Sequence, residues 1–360
     1  MDTHYPPASF PSQPSPQPPV VKRKPLSFWL ALFFGACSVL GGIVILVMFL
    51  GMGALGVASH GGAKDAFQEQ VVEGSGKAKV AWIPVHGVIM HQEAGGLFAP
   101  PDPIDKIIKT VNQAADDDDV KVLVLDVDSP GGGVTESDQI HHAILQAKGK
   151  GKKVVALMGD TAASGGYYVS APADRILAHP TTITGSIGVI FHLVNARELM
   201  QKIGLKEEVI KSGKMKDIGS MSRDMTPEET AVLQGTIDEM YGKFLAVVLD
   251  GRRHVVLPGE EKLAFTEEHL RRIADGRIYT ADQAVANGLV DALGYRDDAL
   301  AEARKLAGAE DVTVIEYIHR GGLAELLNAR LGAPSPLVSM DRKAWAEVLS
   351  PRFLYLWSAN

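Results

Sequence analysis

Val154-Val-Ala-Leu-Met158 runs directly into Gly159-Asp-Thr-Ala-Ala-Ser-Gly-Gly-Tyr-Tyr168, and the fold can be read outward from that junction. The first segment is short, apolar and rich in β-branched residues, the pattern of a buried parallel strand. The second places small residues and paired glycines where the chain must turn, and Tyr167 to Ala171 can open a helix. Ser164 then sits between strand and helix, where the unpaired N–H groups and positive dipole end of the helix face whatever its hydroxyl attacks. A serine so placed can act as a nucleophile, with the N–H of Gly165 offered to an oxyanion. The competing reading is a helix N-cap serine.

Upstream, Val120-Lys-Val-Leu-Val-Leu-Asp-Val127 predicts a second buried strand ending in Asp128-Ser-Pro-Gly-Gly-Gly-Val134. Three glycines at a strand end let backbone approach a ligand closely, and the N–H of Gly131 or Gly132 is the natural second half of an oxyanion hole. No Gly-Lys-Ser/Thr follows, so this is not a phosphate loop. Apolar residues at helical spacing in Pro103 to Ala115 and in Glu136 to Lys148 alternate with these strands. Strand, helix, strand, helix predicts a parallel α/β sheet with both glycine loops at its C-terminal edge. Val80 to Ile89 starts the soluble domain as strand, loop and strand. Asp174 to Pro180 is a further strand, Thr184 to Phe191 a turn with apolar chain, and Asn195 to Ile203 a short helix.

Glu207 to Asp217 brings Lys211, Lys214 and Lys216 close together at a strand end and loop. A lysine can serve as a base near neutrality only if its pKa falls from about 10.4 towards 7, which desolvation can achieve. A solvated basic loop is the alternative. Thr226-Pro-Glu-Glu229 is a capping box opening a long helix, and Thr280 to Asn287 is a helix stopped by Gly288.

A formal net charge of −7 without a basic stripe gives no reason to expect nucleic acid. Cys37 is the only cysteine, which excludes an intrachain disulfide and a cysteine zinc site. Asp116 to Asp119 invites a metal, but adjacent carboxylates before a strand fit a solvated face better. His86, His91, His141, His142 and His192 fall near the proposed edge, yet none lies in a motif that supports a Ser-His-Asp arrangement.

The N-terminal region differs in kind. Residues 1–25 are rich in proline and poor in apolar groups, the composition of a disordered tail. Residues 26–59 contain an uncharged, largely apolar run from Phe28 to Ala58, longer than the ~20 residues that span a bilayer. It also exceeds the ~7 to 15 residues of a signal-peptide core, which favours an uncleaved anchor. Lys22-Arg-Lys24 before it puts the tail in the cytoplasm and the bulk of the chain outside. Residues 60–78 form a polar stem, 79–307 the main domain and 308–360 a C-terminal tail. In that tail, Ala346 to Trp357 reads as a packed terminus, with docking on an oligomer or a membrane surface as the alternative.

From about Lys79 to about Leu306 the chain resembles the signal peptide peptidase A family, membrane-bound Ser-Lys peptidases of the Clp protease/crotonase fold. The carriers, in order, are Asp128-Ser-Pro-Gly-Gly-Gly133, Ala163-Ser-Gly-Gly-Tyr-Tyr168, Thr184-Gly-Ser-Ile-Gly-Val189, Lys211-Ser-Gly-Lys-Met-Lys-Asp217 and Asp275-Gly-Arg-Ile-Tyr-Thr-Ala-Asp-Gln-Ala284. The resemblance implies that Ser164 is the nucleophile, Lys216 the general base and Ser186 the serine that orients the lysine. It implies no cofactor, peptide substrates such as spent signal peptides, and a homo-oligomeric ring in which the lysine reaches a neighbour's serine. It places the protein in a bacterial cytoplasmic membrane with the catalytic domain on the outer side. The expected fold is α/β, a Clp protease/crotonase-like parallel sheet with helices, preceded by one transmembrane helix. A non-catalytic membrane scaffold of the same fold, its serine merely a cap, is the other class to test, and a crotonase-like acyl-CoA enzyme is a third. Ile278-Tyr-Thr280 departs from the family pattern, where a glycine is common after the aromatic position.

Overall fold

A computed structural model describes residues 29–30, 33–35, 37–47, 67–92, 102–257, 265–318 and 353–357. The chain divides into two units, Met1–Asp65 and Ala66–Asn360. In the first, residues 29–30, 33–35 and 37–47 are helical. Among the described residues, no helix is long and apolar enough to cross a membrane. The tail 1–25 and parts of the expected span 26–59 lie outside the described residues, as do residues 319–352.

The second unit is built from β1 (Gln68–Glu73), β2 (Ala78–His86), α1 (Pro103–Asp116), β3 (Val120–Ser129), β4 (Gly131–Gly133), α2 (Val134–Gly149), β5 (Lys153–Ala163) and α3 (Gly165–Ser170). It continues with β6 (Arg175–Ala178), β7 (Ile183–Gly185), β8 (Ile190–Phe191), α4 (Arg197–Lys202), α5 (Pro227–Arg252) and α6 (Glu267–Ile273). It ends with β9 (Ile278–Thr280), α7 (Ala281–Ala286), β10 (Ala292–Leu293), α8 (Arg296–Ala307), β11 (Val312–Ile318) and β12 (Phe353–Leu356).

The main sheet has the order β1-β11-β2-β3-β5-β6-β10. Every neighbouring pair from β11 to β10 is parallel, and β1 closes one edge antiparallel to β11. Parallel sheets need cover on both faces, and alternation along β2 supplies it. Ala81, Ile83 and Val85 enter the larger core with α1, α2 and α3, while Val80 and Trp82 join the smaller one against Ala299, Leu300 and Ala303 of α8. The expected parallel α/β sheet is therefore observed.

Two boundaries differ from the sequence reading. Gln68–Glu73, assigned to the stem, and Val312–Ile318, assigned to the tail, pair with each other, and β11 also pairs with β2. The polar composition of β1 concealed this, because all six of its residues are exposed at the sheet edge and need no apolar periodicity. Conversely, Glu207 to Asp217 contains no strand and passes through irregular chain into turns.

Beyond the main sheet's edge, β7 continues β5 in parallel and pairs with β9. A separate three-stranded sheet, β4-β12-β8, sits over the glycine loop.

Candidate active site

Two strand ends and a helix start set Ser164. β5 delivers it after Ala163, which is paired with Gly185 of β7, and the Ser164 N–H donates to the Gly185 carbonyl at 2.8 Å. On its other side the Ser164 carbonyl accepts the Tyr168 N–H at 2.9 Å, the first turn of α3. Between these constraints the backbone is forced to φ 54°, ψ −114°, a region in which a residue with a Cβ is strained. Ser164 is 1% exposed. It holds the N-cap position of α3, yet its side chain makes no capping hydrogen bond. That removes the capping role that would account for a serine here, and Ser164 instead lines a cavity of about 390 Å³ with Ser186 and residues 187–190.

Ser186 has the same backbone peculiarity, φ 51°. Its N–H donates to the Arg277 carbonyl at 2.8 Å, so the turn after β7 is pinned by the strand that carries β9. α5 contributes Gln234, Ile237, Asp238 and Tyr241 to the same cavity wall, and Ala274 to Gly276 close it.

The glycine loop lies against the serine turn. At Gly131, φ is +93°, and a Cβ would meet the Tyr355 carbonyl oxygen at 2.0 Å and the Gly165 nitrogen at 2.5 Å. Only glycine permits that approach. The Gly131 N–H donates to Ser129 Oγ at 3.1 Å and its carbonyl accepts from the Ile89 N–H at 2.8 Å. Of the three glycines offered by the sequence as oxyanion donors, Gly131 therefore has its donor engaged and Gly132 lies in the β4–β12 ladder opposite Tyr355, while Gly165 stands at the start of α3, where helix N–H groups have no intrahelical partner.

The structure does not bring Lys216 into the Ser164 cavity. Lys216 lies in the turns that follow Gly213, exposed, with its N–H donating to the Gly213 carbonyl at 3.1 Å. Its two companions are engaged elsewhere. Lys211 Nζ meets Asp217 Oδ1 at 2.5 Å, and Lys214 pairs with Glu228, which raises the Lys214 pKa above the ordinary lysine range. Among the described residues, Lys216 alone of the three has no ion pair or side-chain hydrogen bond.

Two features escaped sequence reasoning. Phe353–Leu356 forms a strand wedged antiparallel between β4 and β8, with Tyr355 opposite Gly132 and Leu356 opposite Gly131. The Trp357 N–H donates to the Pro130 carbonyl at 2.8 Å, and Leu356 lines the Ser164 cavity. Tyr355 stacks on Tyr168 at 5.1 Å, contacts Phe244 at 4.7 Å and donates its hydroxyl to the Met240 carbonyl. The packed reading of the terminus holds for these residues. Arg223 is the second, and only its hydrogen bonds reveal it.

A family model for peptidase family S49 matches residues 146–310. A protein of Enterococcus faecium, provisionally named signal peptide peptidase SppA, is 36% identical over 257 residues, covering 71% of this chain and 72% of its own. A provisionally named protease of Synechocystis is 39% identical over 66% of this chain and 77% of its own, and Protease 4 of Salmonella typhi is 36% identical over 68% and 40%.

The chain belongs to peptidase family S49.

In this S49 peptidase the histidines take structural places. His86 faces Asp126 at 3.3 Å, His142 bonds Gln146 at 3.0 Å, and His192 is exposed. His141 is buried against Tyr168, and burial holds its pKa below the ordinary value. Among the described residues, no histidine lines the Ser164 cavity. His91, Asp102 and Asp105 lie with their ligand atoms within 4.8 Å of one another beside a second cavity of about 610 Å³. Asp102 is committed, however: it caps α1 by accepting from the Ile104 and Asp105 N–H groups and also accepts from the Gln92 N–H. The Asp116 to Asp119 run is tied down by lysines, with Lys150 on Asp116 at 2.5 Å and Lys79 on Asp117 at 3.0 Å.

Proposed function

We propose that this S49 peptidase is a membrane-anchored serine endopeptidase that cleaves apolar peptides, such as spent signal peptides, through an acyl-enzyme formed on Ser164. The observation that carries the reading is the strained, buried Ser164 whose hydroxyl caps nothing and faces a cavity beside the glycine loop. Strain of about 1–3 kcal/mol persists at a position only when the surroundings enforce it, and here it lies at a residue that lines the cavity.

In the proposed reaction, neutral Lys216 takes the Ser164 proton as Oγ attacks the peptide carbonyl carbon. Backbone N–H groups of Gly165 and, once the Phe353–Leu356 strand is displaced from β4, of Gly132 receive the oxyanion. The lysine ammonium returns the proton to the leaving amine, and water activated by the same amine releases the acyl group. Ser186 orients the lysine. Since Lys216 lies outside the cavity of its own chain, the base comes from a neighbouring protomer of a ring, at whose interface the lysine is desolvated.

One feature supports a peptide as substrate and another the anchor. The rim of the site is a strand edge, β4, which pairs with an extended apolar segment, Phe353–Leu356. Strand addition of this kind supplies main-chain hydrogen bonds without sequence restriction. The apolar run of residues 28–58 supports an anchor in a bacterial cytoplasmic membrane, with the N-terminus in the cytoplasm and the catalytic unit on the outer side. The engaged-nowhere hydroxyl of Ser164 argues against the scaffold reading.

Labelling with a fluorophosphonate probe, followed by mass spectrometry of the modified peptide, tests this directly. Modification at Ser164 in the wild type and a large fall in its rate, to a small residual, in Lys216→Ala are expected. Labelling that bypasses Ser164, or proceeds unchanged in Lys216→Ala, overturns it.

A further inference from the structure

We infer that Arg223 is a positioning residue, clamping the turn that carries Lys216 to the helix that walls the Ser164 cavity; this rests on the reading of Lys216 as the base. Arg223 grips two carboxylates at once. Towards Asp217, the residue after Lys216, Nε donates to Oδ2 at 3.0 Å and Nη2 to Oδ1 at 2.8 Å and to the backbone carbonyl at 3.1 Å. Towards Glu229, Nη1 donates to Oε2 at 2.8 Å and Nη2 to Oε1. Nη1 also donates to the Asp224 carbonyl at 3.0 Å, so every nitrogen of the guanidinium is engaged.

The two ends of this clamp are themselves fixed. Asp217 is only 12% exposed at its side chain and also receives Lys211 at 2.5 Å, while its carbonyl accepts the Ser220 N–H at 3.0 Å. Glu229 is 3% exposed at its side chain and forms the capping box of α5 with Thr226. α5 is a single helix of 26 residues, and Gln234, Ile237, Asp238 and Tyr241 on its next turns face the Ser164 cavity. One rigid body thus presents both the Lys216 turn and a wall of the chain's own serine site.

An exposed lysine on a loose loop would sample many positions, and a base misplaced by 1 Å can lose about 10²-fold in rate. A planar fork that holds two carboxylates removes that freedom, which a lysine in its place would not do. Among the described residues Lys216 has no side-chain partner, while Lys211, Lys214, Asp217 and Arg223 are each paired with another group. The clamp therefore orders the turn without competing for the amine.

The test is a double-mutant cycle on the full chain, read as kcat and KM for an apolar peptide ester and as the rate of Ser164 labelling. Arg223→Lys, with a thermal midpoint close to wild type, should lower kcat by about 10²-fold with KM unchanged. Asp217→Asn, which opens the same clamp with the arginine intact, should give the same loss. In a Lys216→Ala background, followed through its residual labelling, Arg223→Lys should cause no further loss, since the residue acts through the lysine. Wild-type kcat in a folded Arg223→Lys, no effect of Asp217→Asn, or an equal loss in both backgrounds overturns the inference. Wild-type turnover in Lys216→Ala alone would instead remove the base itself, and the positioning role with it.

Discussion

Ser164 and Ser186 are the two residues other than glycine, among those described, whose backbones take positive φ, at 54° and 51°, and both line one cavity. Their turns are neighbours because β5 and β7 are paired: Ala163 lies opposite Gly185, and each serine follows immediately. Strand register thereby sets in neighbouring turns the two serines to which the proposed reaction gives the attack and the holding of the amine.

Strain at Ser164 separates activity from stability. Ser164→Ala should abolish peptide hydrolysis with the thermal midpoint unchanged, whereas Ser164→Gly should abolish it and raise stability by about 1 kcal/mol, because glycine tolerates positive φ. Calorimetry on the three proteins checks this. A destabilised Ser164→Gly would mean that the turn is not strained as described.

The three lysines of the loop should differ sharply. Lys216→Arg should be nearly inactive, since arginine remains charged in any protein environment. Lys214→Arg should keep most activity, its role being a surface pair with Glu228. If the base is donated between chains, co-expressed Ser164→Ala and Lys216→Ala subunits should recover activity in mixed rings. Rings shown to be mixed yet inactive would place serine and base in one chain.

The C-terminal strand occupies the edge that an extended substrate would need. Ending the chain after residue 352 should lower KM for an apolar peptide and speed fluorophosphonate labelling of Ser164. Unchanged KM in a folded truncation would show that substrates use another edge. Tyr355→Ala should act in the same direction while costing about 3–5 kcal/mol of packing against Tyr168 and Phe244.

Acid should loosen the Arg223 clamp only at low pH. Hydrogen bonds from Arg223 hold Glu229 at about 2 and push Asp217 further below the ordinary carboxylate range. Depressed carboxylates stabilise the fold fully above their unfolded values of about 4, and that contribution is lost as pH falls through the folded values. Between pH 5 and 2 the thermal midpoint of the wild type should fall more steeply than that of Glu229→Gln. Parallel curves would separate Glu229 from the acid response.

Local chemistry in the sequence determined the parallel strands, the glycine turns, the capping box at Thr226, the helix from Thr280 and the singling out of Ser164. Each depends on residues within a few positions of one another, where periodicity and backbone preference act directly. The tertiary structure decided what depends on competition between distant groups. It tied Lys211 and Lys214 to carboxylates and left Lys216 without one, gave the Gly131 N–H to Ser129, and turned an unremarkable Arg223 into the hub of two acids. It also brought Gln68–Glu73 and Val312–Ile318 into one sheet and laid Phe353–Leu356 across the glycine strand. A hydrogen-bond donor or a strand edge carries no mark in the sequence of which partner will reach it first; that is settled only when the chain has closed around it.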